Sequence, residues 1–187
     1  EKTLGDCLPW VRGTDKAGIR VKDVLLHQAG LAPFIPFYKE LIDSASGNPL
    51  PAYFSAYAKD GFSTRVAENL YLRNDWQDSL HARILRSKVK DAGKYIYSDN
   101  DFIFLGKIVE AVSGLTLSEY VEQNFYQPLH MTTTGFTPRT HHTLTSIVPT
   151  EDEKYFRRQL LRGDVHDEGA SLFGGVAGHA GLFSNAY

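Results

Sequence analysis

The sequence predicts a mainly α chain with short β segments, and three observations predict it. Apolar residues recur at helical spacing across two windows, 76–86 and 102–112. Thr116-Leu117-Ser118-Glu119 spells a capping box, a side-chain signature for the start of a further helix. Between such windows lie short extended runs and stretches rich in glycine, proline and threonine.

Taken in order, residues 4–10 read as a short helix or loop tail ended by Pro9, and Gly13, Asp15 and Gly18 mark turns. Residues 19–21 are short and extended. Val21, Val24, Leu25 and Gln28 then share a helix face, and Gly30 stands where a left-handed cap belongs. Pro33 and Pro36 break the pattern before a short helix at 37–42, and 44–51 is loop. Helical readings resume at 53–58, 64–73 and 76–86, the last striped by Trp76, Leu80, Ile84 and Leu85. Residues 91–100 form a loop. Phe102, Leu105, Ile108, Val109 and Val112 make one apolar face, closed by Gly114. The capping-box helix runs to about Gln127 and stops at Pro128. Residues 131–139 are turn-rich and extended, and 151–161 read as a short helix or a charged excursion. Gly163, Gly169, Gly174, Gly175, Gly178 and Gly181 then allow close backbone approach.

The length of 187 residues fits one domain. With 42% hydrophobic and 22% charged residues the chain is globular, and 20 Lys+Arg against 22 Asp+Glu leave a net charge of −2. No basic stripe favours nucleic acid or an acidic membrane surface, and no apolar run spans a bilayer. Cys7 is the single cysteine, so it has no intrachain disulfide partner. The single Met is Met131 and no signal segment opens the chain, so it reads as an excised or processed piece.

The segment richest in chemistry is Lys94-Tyr95-Ile96-Tyr97-Ser98-Asp99-Asn100-Asp101, ahead of the apolar helix. A Ser or Asp there is ordinarily an N-cap. One cap needs one residue, however, and Tyr97 adds a group able to hold or relay a proton. Arg162-Gly163-Asp164-Val165-His166-Asp167-Glu168 is a second candidate, read equally as a substrate loop or a plain polar loop. A metal reading would use His166, Asp167 and His179, but no paired-histidine spacing supports it, and no metal or cofactor is expected. His27 reads as a structural residue beside Gly30, and the aromatic residues from Tyr53 to Tyr71 as core or cleft wall.

These residues resemble the serine beta-lactamase-related hydrolases, which include class C beta-lactamases, DD-peptidases and related esterases. Tyr97-Ser98-Asp99 is similar to their Tyr-x-Asn element. Val24 to Leu31 resembles "hLLtHtSGL", Phe104 to Gly114 "lLGkiie.vsG", Tyr120 with Pro128 to Met131 "eY....i..PLGM", and Gly178 to Ser184 "aGGLfSt". Five such segments in family order carry the likeness; 34–89 carries less of it.

The resemblance implies the helical lobe of the beta-lactamase/transpeptidase-like α+β fold, with residues 1–187 a single partial domain. It also implies an acyl-serine mechanism in which Tyr97 is catalytic and Ser98, Asp99, Asn100, His166 and Asp167 meet substrate. Asp99 departs from the family's asparagine: a carboxylate accepts but does not donate. Ser98-Asp99-Asn100 also spells the S-D-N element of class A enzymes, a second frame less favoured by the flanking segments. His130 replaces the glycine of "PLGM". No nucleophile helix is recognised ahead of Tyr97, and Lys2-Thr3 is not followed by glycine. His179-Ala180-Gly181 fits H-x-G as letters, but it sits at the family's glycine-rich turn.

The expectation is therefore a piece of a larger serine hydrolase, inactive alone, whose parent takes a small acyl or peptidoglycan-like substrate. The remainder of the parent chain and self-association through exposed apolar surface are the other expected partners. The spelling of "VAENLYLRND" and "GVAGHAGLFSNA" is similar to modules fused behind beta-N-acetylglucosaminidase-type glycosidases in the bacterial cell envelope, so a periplasmic or secreted parent is expected. The alternative is a non-catalytic module that binds cell-wall glycan or peptide, or packs against a glycosidase.

Overall fold

The structure is a computed structural model that describes residues 1–186. In chain order it contains α1 (Leu4–Cys7), α2 (Val21–Leu25), β1 (Phe54–Ser55), β2 (Thr64–Ala67), β3 (Leu70–Leu72), α3 (Trp76–Arg86), α4 (Asp99–Ser113), α5 (Leu117–Val121), β4 (Gly135–Phe136), β5 (Pro149–Asp152), β6 (Leu160–Arg162), α6 (Glu168–Leu172) and β7 (Leu182–Phe183). The strands form three small antiparallel sheets, β1-β3-β2, β4-β7 and β5-β6, so the chain is α+β. Among the described residues no helix is long and apolar enough to cross a membrane.

The chain divides into two compact units, one of 1–35, 81–130 and 177–179, the other of 36–80, 131–176 and 180 onward. In the first unit α4 is the centre and packs against α1, α2 and α5. Thr116 and Glu119 form the expected capping box at α5, and Gly114 ends α4 in the left-handed region at φ 73°. The buried side of α4 is not the Phe102 stripe. It carries Asn100, Asp101, Ile103, Phe104 and Gly106, whereas Val112 is 75% exposed. Polar residues of the first turn have partners in the interior, and satisfying them turns that face inward.

Lys16 is fully buried, and its ammonium donates to the carbonyls of Leu85 and Ser87 at 3.0 and 2.5 Å, at the end of α3. A cation belongs there, because the last carbonyls of a helix lack partners along the helix. Gly178 lies against α4: a Cβ on it would stand 1.9 Å from the Phe102 carbonyl oxygen. The glycine-dense stretch thus has a defined role, one backbone seated on a helix where no side chain fits.

In the second unit two helical expectations are replaced by strands. Residues 64–73 form the hairpin β2–β3, with Asn69 at φ 53° in its turn and Leu70 and Leu72 buried on alternate positions of β3. Thr, Arg and Val at β2 alternate as well as they repeat, and pairing across the turn decides the outcome. Residues 53–58 contain β1, which adds to the same sheet.

Residues 151–161 are also a hairpin, β5–β6. Its loop is organised by buried Glu153, whose carboxylate accepts the N–H groups of Tyr155, Phe156, Arg157 and Arg158. Four amides spent on one carboxylate are unavailable to a helix.

Substituting Gly178 by alanine is expected to lower stability by about 2 kcal/mol or more, since the added methyl overlaps backbone that has no room to yield. Chemical denaturation of the two proteins measures the difference.

Candidate active site

Tyr97, Ser98, Asp99 and Asn100 lie together in the first unit, where the loop from 90 enters α4. That loop is laced to the end of α2. The N–H groups of Lys90, Gly93, Ile96 and Asp99 donate to the carbonyls of Gly30, Gln28, His27 and Pro33 at 2.8–3.0 Å. Gly30, at φ 73°, permits a close approach of the two segments: a Cβ there would lie 2.4 Å from the Lys90 oxygen. The predicted helix cap at Gly30 is corrected accordingly. α2 ends at Leu25, His27 takes the left-handed position after it at φ 54°, and Gly30 serves the crossing.

His27 closes a Schellman motif: its own N–H reaches Val24 O at 3.2 Å and that of Gln28 reaches Asp23 O at 2.8 Å. Its imidazole is nearly buried, and Nδ1 lies 2.8 Å from Oδ2 of Asp101, itself 1% exposed. The Ser98 N–H also points at Nδ1, from 3.3 Å. Around the ring stand Tyr97 at 4.6 Å, Phe102 at 5.2 Å and Tyr95 at 5.8 Å, centroid to centroid. Burial pushes the Asp101 carboxyl up to about 6, and its hydrogen bond and charge interaction with His27 pull in the opposite direction.

Ser98 is the N-cap of α4 by backbone geometry, yet its hydroxyl does not cap the helix. It donates to Ala32 O at 2.7 Å, and the Asn100 amide donates to the same oxygen at 2.6 Å. Both side chains are buried, at 0% and 1% exposure. Tyr97, by contrast, is 56% exposed and Asp99 is half-buried on the first helical turn. The segment therefore has an anchored side, Ser98, Asn100 and Asp101, and an open side, Tyr97 and Asp99.

His166 and Asp167 lie in the second unit. Arg157 is buried, and its guanidinium donates to the carbonyls of Val165 and His166, fixing the loop that carries them. The His166 side chain is 62% exposed, with Nδ1 3.4 Å from Oε2 of Glu151. Asp167 caps α6, its carboxylate accepting the Ala170 N–H at 2.6 Å. Nearby, Asp164 receives two bonds from Arg65, at 2.8 and 3.1 Å, and one from Arg139 at 3.0 Å. Glu68 takes a further donor from each of these arginines. Arg65, Arg139 and Asp164 line a cavity of about 190 Å³ with Val66, Thr137 and Val165.

Sequence reading gave His27 a structural role and Asp101 none, because a pair 74 positions apart leaves no spacing signal. It also passed over Ser87-Lys88-Val89-Lys90, which spells S-x-x-K. These residues follow α3 and are not helical. Ser87 Oγ donates to Ile84 O, and the Lys90 backbone is tied to Gly30. A serine and lysine need a common helical face to work as nucleophile and base at this spacing, and this pair lacks one.

The Beta-lactamase family profile matches residues 1–187. A Salmonella schwarzengrund protein named for D-alanyl-D-alanine carboxypeptidase activity is 41% identical over 189 residues, 95% of this chain and 38% of its own length. The N-acetylmuramyl-L-alanine amidase of Bacillus subtilis (strain 168) is 32% identical over 94% of this chain and 37% of its own. Among solved structures, the octameric penicillin-binding protein homologue from Pyrococcus abyssi overlays with a TM-score of 0.59 at 19% identity, covering 99% of this chain and 36% of that one. The class C beta lactamase from Rhodobacter sphaeroides gives 0.54 at 16% identity, covering 98% and 40%.

The raised Asp101 carboxyl makes stability depend on pH in a stated direction. Its contribution is full below the ordinary carboxylate range and is lost as pH rises through about 6. The stability of the unaltered protein relative to Asp101→Asn is thus expected to fall between pH 4 and pH 7. Paired thermal melts across that range check it.

Proposed function

The chain belongs to the beta-lactamase family, and on that premise we propose that it carries the tyrosine element of a serine acyl hydrolase of the beta-lactamase, DD-peptidase or esterase type. The observation that carries the reading is the two-sidedness of the 97–101 segment. An exposed phenol stands beside buried side chains, of which the Ser98 hydroxyl and the Asn100 amide donate to Ala32 O and Asp101 Oδ2 bonds to His27.

Such a phenol, as phenolate, accepts the proton of a serine hydroxyl while the oxygen attacks an acyl carbon, and returns it to the leaving group as the acyl-serine forms. Water then hydrolyses the ester by the reverse route. The nucleophile and the oxyanion donors belong, in this proposal, to a longer protein, since the chain spans 38% and 37% of the two relatives named above.

Asp99 is assigned the place of the family asparagine. A carboxylate there pairs with an ammonium group more strongly than an amide does and gives up the amide's donor. Ser98 and Asn100 are assigned to positioning, because the Ser98 hydroxyl and the Asn100 NH2 group already donate to Ala32 O. His166 is assigned to the substrate side, since its imidazole is exposed while the backbone beneath it is fixed. Asp167 is assigned to holding that loop through its cap of α6. The names of the relatives support an acyl or peptidoglycan-like substrate and a site of action in the cell envelope.

Tyr97→Phe in the full-length protein is expected to lower kcat by about 10²–10⁴-fold on a beta-lactam or ester substrate. Its melting temperature should change little, as the ring is kept and Tyr97 is 56% exposed. Residues 1–187 alone are expected to take no covalent label from a fluorescent penicillin. Full turnover by Tyr97→Phe overturns the assignment, and no turnover by the unaltered full-length protein favours a binding module in its place.

A further inference from the structure

His27 occupies a backbone position that favours glycine, and its side chain is used inward. The left-handed conformation at φ 54° costs a residue with a Cβ about 1 kcal/mol, so something offsets it. The side chain's hydrogen bond is to Asp101, and both partners are buried. Nδ1 has two claimants that it does not satisfy at once. Donating to Asp101 Oδ2 at 2.8 Å requires a proton on Nδ1; accepting from the Ser98 N–H at 3.3 Å requires a lone pair. The shorter, charge-assisted contact favours the proton on Nδ1.

The groups facing the ring are Asp101 and Phe102 from α4, and Tyr95, Tyr97 and the Ser98 N–H from the segment before it. Among the described residues Asp101 Oδ1 has no hydrogen-bond partner, while Oδ2 bonds the imidazole.

We propose that His27 is a positioning residue for Tyr97: Asp101 fixes the imidazole as its Nδ1–H tautomer, and the ring so held is the wall against which the Tyr97 phenol rests. The inference rests on the reading of Tyr97 as the proton-transfer group. It adds that the orientation of the phenol is set by a buried pair drawn from α2's end and α4. A phenol displaced by about an ångström from a reacting hydroxyl loses on the order of a hundredfold in rate, so the pair affects kcat without touching substrate.

The test uses the full-length protein with 3-fluorotyrosine at Tyr97, alongside His27→Gln, Asp101→Asn and Tyr97→Phe. Asparagine both donates and accepts, so Asp101→Asn leaves the tautomer unfixed while keeping the shape. In both pair variants kcat is expected to fall about tenfold to a hundredfold with KM nearly constant, and the fluorine resonance and its titration midpoint are expected to move. An unchanged fluorine signal in folded variants, or a kcat loss matched by the loss of folded protein, overturns the proposal.

Nitrogen NMR of His27 in the unaltered protein decides the case even where a variant fails to fold. A proton on Nδ1 at pH 7.5 supports the proposal, and a proton on Nε2 with Nδ1 bare overturns it. Full turnover by Tyr97→Phe sinks the catalytic reading alone, because the fluorine and nitrogen signals do not depend on activity.

Discussion

The first unit depends on a backbone-to-backbone crossing between residues 27–33 and residues 90–99. Four amide-to-carbonyl bonds run across it, and a left-handed glycine makes the approach sterically allowed. Each bond is worth about 1 kcal/mol net, which is modest, but the four act together on one loop. The Ala32 carbonyl makes the point locally. It accepts from both Ser98 and Asn100, so the loop entering α4 is tied at two places to one atom. A tyrosine placed immediately before such an anchor has little backbone freedom, although its own ring is open to solvent.

The second unit reaches a similar end with charges. Its strands are two to four residues long and cannot by themselves fix the loops between them. Glu153 gathers four amides and Arg157 holds two carbonyls, so the loop bearing His166 is shaped by buried side chains. Asp164 is held between Arg65 and Arg139, with Glu68 on the outer side. Networks of this kind add little by their presence and cost several kcal/mol when one member is lost, about 3–5 by analogy with buried ion pairs. They define conformation more than they add stability.

The sequence showed those features that are local. The helix at 76–86, the Thr116–Glu119 box and the Gly114 cap are written within three to five residues, where capping and helical periodicity operate. Residues 64–73 were misread because a short stretch with Thr, Arg and Val fits either period, and only its pairing with β1 and the Asn69 turn selects the hairpin. Residues 151–161 were left between a short helix and a charged excursion because a glutamate that binds four amides looks, as a letter, like any charged residue. Tyr97 was singled out through the flanking family segments. The floor beneath it was not, since His27, Ala32 and Asp101 meet only after the chain has crossed itself.

The two left-handed positions at 27 and 30 show why one glycine and one histidine stand three residues apart. At 30 the constraint is space: any Cβ collides with the Lys90 carbonyl, and only glycine fits. At 27 the backbone merely prefers glycine, because the Schellman turn is satisfied by main-chain bonds whatever the side chain. A residue that costs about 1 kcal/mol there is retained sterically only if its side chain returns at least as much. The bond to Asp101 is short and charge-assisted, which works in that direction. Yet a histidine–carboxylate pair is an expensive way to end a helix, since Asp101 is desolvated to make it. Helix termination alone does not call for it. The arrangement makes physical sense when the ring has a second use, and the aromatic face it presents to Tyr97 is the use that the geometry offers.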